Sequence, residues 1–338
     1  MKVVKFMMLV GVLVCASCNY TPKIGELQQR IHDGLTVDST CLYDIYGDPF
    51  VMRGVNVHWT WSGETGMRQI EAVSRTGANT VRIVLSDGEQ WNMDDAATVQ
   101  SVLDRCKELK MVAILEVHDA TGNDTASALI RAAQYFVDLS PMLDGTEDYV
   151  IVNIANEWMQ MKDDSLWADT YKRAIAMLRN AGIKHCVMID SDGYGQGVDC
   201  IRNVGRSVLD SDQERNVIFS VHMYGHAGNA EMVKSNIDGI VNQGLALCIG
   251  EFGWYHSDGD VDEDQILAYC KEKNVGWLAW SWYGNGNPVR YLDLVTDPVD
   301  EHSLNAPTIN DSISCDWGKK VVDAIKSESK VLGSFNRQ

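Results

Sequence analysis

Short apolar runs rich in β-branched residues recur along the chain at residues 50–56, 79–85, 111–117, 149–155, 185–190, 216–222, 245–250 and 275–281. Each is apolar at successive rather than alternate positions, the pattern of a strand buried on both faces. One interior residue from each run (Met52, Val81, Ala113, Ile151, Val187, Ile218, Leu247, Trp277) gives spacings of 29, 32, 38, 36, 31, 29 and 30. A strand, a returning helix and two loops need about 30 residues, so eight such units predict an α/β fold whose parallel strands close into a (β/α)8 TIM barrel. The intervals fit. Ala97, Val99, Val102, Leu103, Cys106 and Leu109 fall at helical spacing within 94–110, and Trp167, Tyr171, Ile175 and Leu178 do so within 165–181. An open doubly wound sheet would give the same beat, but no GxGxxG follows the first run and no GxxxxGK is present.

The barrel pattern starts late. Lys2 and Lys5 followed by an apolar run over 6–16 read as an export signal, too short to span a bilayer. The run ends in Cys15-Ala16-Ser17-Cys18, which resembles the site where bacterial lipoproteins are cleaved and diacylated. Residues 1–17 are therefore expected to be a lipoprotein signal peptide, and Cys18 the lipidated first residue of a protein held at the cell envelope. Plain secretion after cleavage near Ser17 is the alternative. Residues 18–45 form a polar lead-in, a linker followed by a segment expected to cover one end of the domain, and 46–332 form a single barrel domain.

Composition narrows the partners. With 45% apolar residues, 22% charged and only 6 Pro in 338 residues, the chain has enough apolar surface for a large core. Its net charge of -18 repels polyanions, so no nucleic-acid partner is expected. Once residues 1–17 are removed, none of the remaining cysteines forms a CxxC pair that would suggest a zinc knuckle, and Cys106, Cys186 and Cys248 sit in apolar patterns that suit buried free thiols. No metal or other cofactor is expected, and a monomer is.

Polar and aromatic residues gather at the carboxyl ends of the runs, which converge on one face in a barrel. They include Asn56 and His58, Arg82, Glu116 and His118, Asn156 with Glu157, His222 with Tyr224, Glu251, and Trp280. Glu157 after the fourth run and Glu251 after the seventh would face each other across the mouth. Two carboxylates flanking a sugar ring are what glycosidic cleavage needs, one as proton donor and one at the anomeric carbon. Asn156 and Trp158 give Glu157 a partly apolar setting, whereas Arg82 near Glu251 would hold that group ionised. Trp59, Trp61, Trp91, Trp158, Trp254, Trp280 and Trp282, at or just beyond strand ends, would serve as platforms for sugar rings; Trp277, inside a run, reads as core.

The stretches VMRGVN (51–56), GANTVRIVLSDG (77–88), LEVHDATG (115–122), NIANEW (153–158), VHMY (221–224), IGEFG (249–253) and GWLAWSW (276–282) resemble glycoside hydrolase family 5, and within it the bacterial endo-β-1,4-mannanases. The resemblance covers roughly residues 48–295. It implies a retaining endo-acting hydrolase of mannan, galactomannan or glucomannan, with Glu157 as acid/base and Glu251 as nucleophile. Arg82 and Tyr224 would hold the nucleophile, Asn156 would bind the 2-hydroxyl before the scissile bond, and His118, His222 and Trp280 would line that subsite. Residues 63–67, Trp254 with Tyr255, and 295–310 match the family less well, which leaves the cleft ends open. An endo-β-1,4-glucanase or a glycan-binding lipoprotein without catalysis are the alternatives. Retention implies carboxyl groups about 5 to 5.5 Å apart.

Overall fold

The computed structural model describes residues 30–309 and 312–337. The signal peptide expected at 1–17, the lipidation expected at Cys18 and the start of the lead-in lie outside the described residues. Eight parallel strands close into a barrel: β1 (Arg53–Val57), β2 (Thr80–Leu85), β3 (Val112–Val117), β4 (Val150–Asn153), β5 (Cys186–Asp190), β6 (Val217–Met223), β7 (Leu247–Phe252) and β8 (Gly276–Ala279). Neighbours in sequence pair in parallel, and β8 pairs with both β7 and β1 to complete the ring. Every residue of β2, β3 and β6 is buried, which is why their runs show no alternation.

Among the described residues one main helix follows each strand, besides the short turn Trp59–Ser62 after β1: α1 (Gly66–Arg75), α2 (Ala96–Glu108), α3 (Ala126–Leu143), α4 (Asp164–Asn180), α5 (Val198–Ser211), α6 (Ala230–Val241), α7 (Glu263–Lys273) and α8 (Trp317–Glu328). Side-chain caps set several of their starts. Asp95 accepts from Thr98 N, Asp163 from Ser165 N and Leu166 N, Asn229 from Met232 N, and Asp262 from Gln265 N. No described helix is long and apolar enough to cross a membrane. The seven cysteines from Cys41 to Cys315 are free, and Cys106, Cys186 and Cys248 are buried.

The first run differs from expectation at its start. Pro49–Phe50 belong to a small antiparallel sheet with Cys41–Tyr43 and Thr36–Asp38, and β1 begins only at Arg53. Proline lacks the N–H that an interior barrel strand requires, so it falls on an edge strand. The small sheet lies at the end of the barrel away from the strands' carboxyl ends. There Leu35 N donates to Glu147 O just before β4, while the Asn216 side chain, just before β6, accepts from Val37 N and donates to Leu35 O.

That end is fastened by a buried ion pair. Arg179 near the end of α4 donates from Nε and Nη2 to the two carboxylate oxygens of Asp212 at 2.8 and 2.9 Å, and from Nη1 to the carbonyls of Ile183 and His185. Burial pushes the Asp212 carboxyl up, and Arg179 more than reverses this, leaving it below its ordinary value. Deleting one partner strands the other charge in a dry site. Asp212→Ala is expected to lower the unfolding free energy by about 3–5 kcal/mol, read from urea denaturation; a loss below about 1 kcal/mol would show that the clamp is dispensable.

Candidate active site

The polar floor of the barrel mouth is built on Arg82, in the middle of β2 and wholly buried. Its Nε donates to Asn153 Oδ1 and its Nη2 to Asn156 Oδ1, both at 2.8 Å. Nη1 donates to Asn56 Oδ1 at 2.8 Å and to Glu251 Oε1 at 2.9 Å. Glu116 and Asp190 lie 3.7 and 3.5 Å from the guanidinium. Burial works against the charge, but these carboxylates with Glu251 outweigh it and hold Arg82 above its ordinary value.

Glu251 reaches the mouth through a bulge. Along the β6–β7 pair, Ile249 faces Val221 and Glu251 faces His222, so Gly250 is the extra residue. A Cβ at Gly250 would come within 2.3 Å of Ser220 Oγ, so a larger residue there would force that side chain to turn away. Glu251 Oε2 accepts from Tyr224 OH at 2.8 Å, opposite the Arg82 bond to Oε1. Burial raises this carboxyl above its ordinary value, against the pull of His222 and Arg82. Two donors aimed at its oxygens suit the anion.

Glu157 follows β4 in a left-handed conformation, φ 42°, which is uncommon for a residue with a side chain. Its backbone N donates to Asp190 Oδ2 at 3.0 Å, and Gly122 N donates to its carbonyl. Its Oε1 lies 2.8 Å from His222 Nδ1, and the carboxyl is slightly open to solvent. One oxygen each of Glu157 and Glu251 and a ring nitrogen of His222 all lie within 4.8 Å of one another. The spacing is short for a water-mediated inverting pair, which needs about 6.5–9.5 Å, and close to that of a retaining pair.

His222 lies between three carboxylates: Glu157 at 2.8 Å, Asp190 at 3.3 Å and Glu251 at 3.5 Å. Burial opposes its charge, but Glu251 and Asp190 outweigh this and raise it to about 10. Among the described residues Glu157, His222 and Glu251 are the one set of groups spaced to hold a cation. A charged imidazole is a donor rather than a metal ligand, so the set fits a proton network better.

His118 Nδ1 lies 2.9 Å from buried Glu116, and its ring stacks on Trp280 at 5.6 Å and 19°. Burial opposes its charge, yet Glu116 and Glu251 raise it above the ordinary value. Trp280 is held by Nε1 donating to Asn285 Oδ1 and is tilted against His58 at 4.6 Å. A cavity of about 160 Å³ is lined by His118, Asn156, Glu157, Tyr224, Glu251 and Trp280, among others. A second, of about 450 Å³, lies between Trp61 and the loop bearing Trp91. Trp61 contacts both Trp91 and His118, at 4.9 and 5.1 Å.

Arg82, His118, Asn156, Glu157, His222, Tyr224, Glu251, Trp280 and Trp61 thus meet in one cleft. Four expected platforms do not join it. Trp282 is fully buried with Nε1 donating to Pro298 O, Trp158 is fully buried with Nε1 donating to Thr125 O, and Trp254 is buried with Nε1 donating to Tyr291 O. Trp59 turns its ring against Gly66 of α1. An indole at a strand end points into the helix layer as readily as into the mouth, and sequence position does not distinguish the two. Sequence reasoning also missed Asp190, which ties Glu157, His222 and Arg82 together. Burial pushes the Asp190 carboxyl up, and His222 and Arg82 hold it well below the ordinary carboxylate range. Its signal was an acidic residue closing an apolar run, the same signal that marks Glu251.

The family model described as cellulase (glycosyl hydrolase family 5) matches residues 43–286. A mannan endo-1,4-beta-mannosidase of Salipaludibacillus agaradhaerens is 47% identical over 301 residues, 88% of this chain and 94% of that protein. A beta-mannanase from Thermomonospora fusca superposes with TM-score 0.82 at 37% identity, covering 89% of this chain and 99% of the other. A beta-mannanase from Streptomyces thermolilacinus, solved with mannohexaose, gives 0.81 at 39%, covering 89% and 98%.

The histidines yield a direct expectation. Burial first, and then the charge of His118, push His58 down to about 3; burial and then Arg179 do the same to His185. In histidine NMR spectra, His222 should remain charged and His58 and His185 neutral from pH 5 to pH 8. His222, raised above its unfolded value of about 6.5, stabilises the fold fully below that pH and loses the contribution as pH rises towards 10. A His222 resonance titrating near pH 6.5 would contradict the network described.

Proposed function

The chain belongs to glycosyl hydrolase family 5, and from that premise we propose that it is a retaining endo-β-1,4-mannanase acting on mannan, galactomannan or glucomannan. The observation that carries the reading is the pair Glu157 and Glu251, with an oxygen of each within 4.8 Å of the other at the barrel mouth. A non-catalytic glycan binder would have no use for such a pair on a floor of Arg82, Asn156 and Tyr224. The sugar assignment rests on the relatives named mannan endo-1,4-beta-mannosidase and on a structural neighbour solved with mannohexaose.

In the first step Glu251 attacks the anomeric carbon as Glu157 gives its proton to the departing glycosidic oxygen, leaving a glycosyl ester on Glu251. In the second, Glu157 takes a proton from water as the water oxygen displaces Glu251 and restores its carboxylate. Arg82 and Tyr224 aim Glu251 and stabilise the charge that returns to it. Asn156 has its carbonyl oxygen engaged by Arg82, which turns its amide nitrogen towards His118 and Thr121, where the sugar 2-hydroxyl would lie. Trp280, stacked on His118, forms the floor beneath the ring. The chain is further proposed to leave the cytoplasm and to carry a lipid anchor at Cys18, on the strength of the charged start, the apolar run and the small residues before that cysteine.

Reducing ends should be released from unbranched β-mannan, galactomannan and glucomannan and not from carboxymethyl-cellulose. The first product observed by NMR should have the β configuration. Glu251→Ala should abolish release, and Glu157→Gln should lower it by about 10²–10⁴-fold, less on aryl glycosides whose leaving group needs no proton. Hydrolysis mainly of cellulose would move the assignment to a glucanase, and an α product would overturn the retaining mechanism. For the anchor, Cys18→Ser should release into solution a protein that otherwise fractionates with membranes and incorporates labelled palmitate; a wild-type chain that is already soluble would refute it.

A further inference from the structure

The cleft has a well-built aromatic wall on one side, where Trp61, Trp91 and Trp280 stand on loops after β1, β2 and β8. The opposite side, after β4 and β5, carries a different aromatic. Tyr194 is 41% exposed, yet its backbone is fixed in the left-handed region at φ 58° between Gly193 and Gly195, both also at positive φ. Its surroundings hold it in place. Tyr194 N donates to Met159 O at 3.1 Å, and its hydroxyl donates to Gln160 Oε1 at 2.8 Å. The ring lies over Gly122, where a Cβ would come within 2.6 Å of it.

These contacts tie Tyr194 to the proton donor. Gly122 N donates to Glu157 O, and Met159 is two residues beyond Glu157. The next residue, Gly195, accepts from His222 N at 2.7 Å and lies so near the His222 ring that a Cβ would approach to 2.7 Å. The ring therefore stands on the Glu157 side of the cleft, away from Trp280. Because the proton donor faces the glycosidic oxygen, the sugar beyond that oxygen departs on this side.

Resting on the mannanase reading, we propose that Tyr194 is the stacking platform for the leaving-group sugar and sets how the glycosyl-enzyme divides between water and a sugar acceptor. The geometry provides a partly exposed, pre-positioned ring on Gly122, whose N–H donates to Glu157 O, suited to the apolar face of a β-linked hexose. When a sugar occupies it after the first step, its hydroxyl oxygen attacks the anomeric carbon, the Glu251 carboxylate departs and Glu157 accepts the hydroxyl proton. The product is a lengthened oligosaccharide, and no further reactant is needed. When the platform is empty, water takes the same path.

The test compares wild type, Tyr194→Ala and Tyr194→Phe on mannopentaose in ¹⁸O-water, with mannobiose as added acceptor. Tyr194→Ala should lower the ratio of transfer to hydrolysis products by about three- to tenfold, as loss of one aromatic contact predicts. It should also shift cleavage away from bonds that place two sugars on the leaving-group side. Tyr194→Phe, which keeps the ring, should restore both readouts. Both are ratios, so a general loss of folded enzyme leaves them unchanged. Wild-type ratios in the alanine variant, or a phenylalanine variant that behaves like alanine, would overturn the platform. Wild-type enzyme that leaves mannopentaose intact would instead overturn the mannanase reading, and the platform with it.

Discussion

A single guanidinium fixes the layout of the barrel mouth. Arg82 reaches three asparagines from β1, β4 and the loop after β4, and the glutamate of β7, so one side chain sets the relative positions of groups from half the barrel circumference. A buried cation of this kind is tolerable only because carboxylates surround it and its donors find acceptors. The constraint runs both ways. Asn56, Asn153 and Asn156 are oriented because Arg82 is charged, and Arg82 is held because Glu116, Asp190 and Glu251 are close. Replacing it with lysine would keep the charge and lose the fork, and with it the mutual alignment of Asn156 and Glu251.

Around this hub the backbone does the remaining aiming. The bulge at Gly250 turns Glu251 into the mouth, and the left-handed conformation of Glu157 turns its side chain towards His222. Asp190 supports the second of these by accepting from Glu157 N, so the acid that neutralises Arg82 and His222 also fixes the loop bearing Glu157. Charge balance and geometry are therefore set by the same contacts.

The barrel was legible because a strand buried on both faces cannot alternate, and eight unalternating runs at near-constant spacing leave few other folds. Glu157 and Glu251 were legible as carboxylates closing such runs. What stayed hidden depended on direction rather than position. Trp158, Trp254 and Trp282 end strands just as Trp280 does, but their indole N–H groups find backbone carbonyls in the interior, and nothing in local sequence says which way a ring turns. The strands at Thr36–Asp38 and Cys41–Tyr43 were hidden because three residues are too few to show a period, and Asp190 because an acid two residues from another, Asp192, reads as a surface turn until His222 and Arg82 are placed beside it.

The carboxylates of the mouth are held unequally. Glu116, Asp190 and Glu251 surround Arg82 and keep it above its ordinary value, and Glu251 and Asp190 do the same for His222. The two members of the proposed pair differ in their partners. Glu251 accepts from Arg82 and Tyr224, whereas Glu157 has one histidine contact and partial access to solvent. Under the proposed mechanism that difference suits each role: fixed donors aim the oxygens that would attack the anomeric carbon, and the freer carboxyl would pass its proton to the leaving sugar and take one back from water.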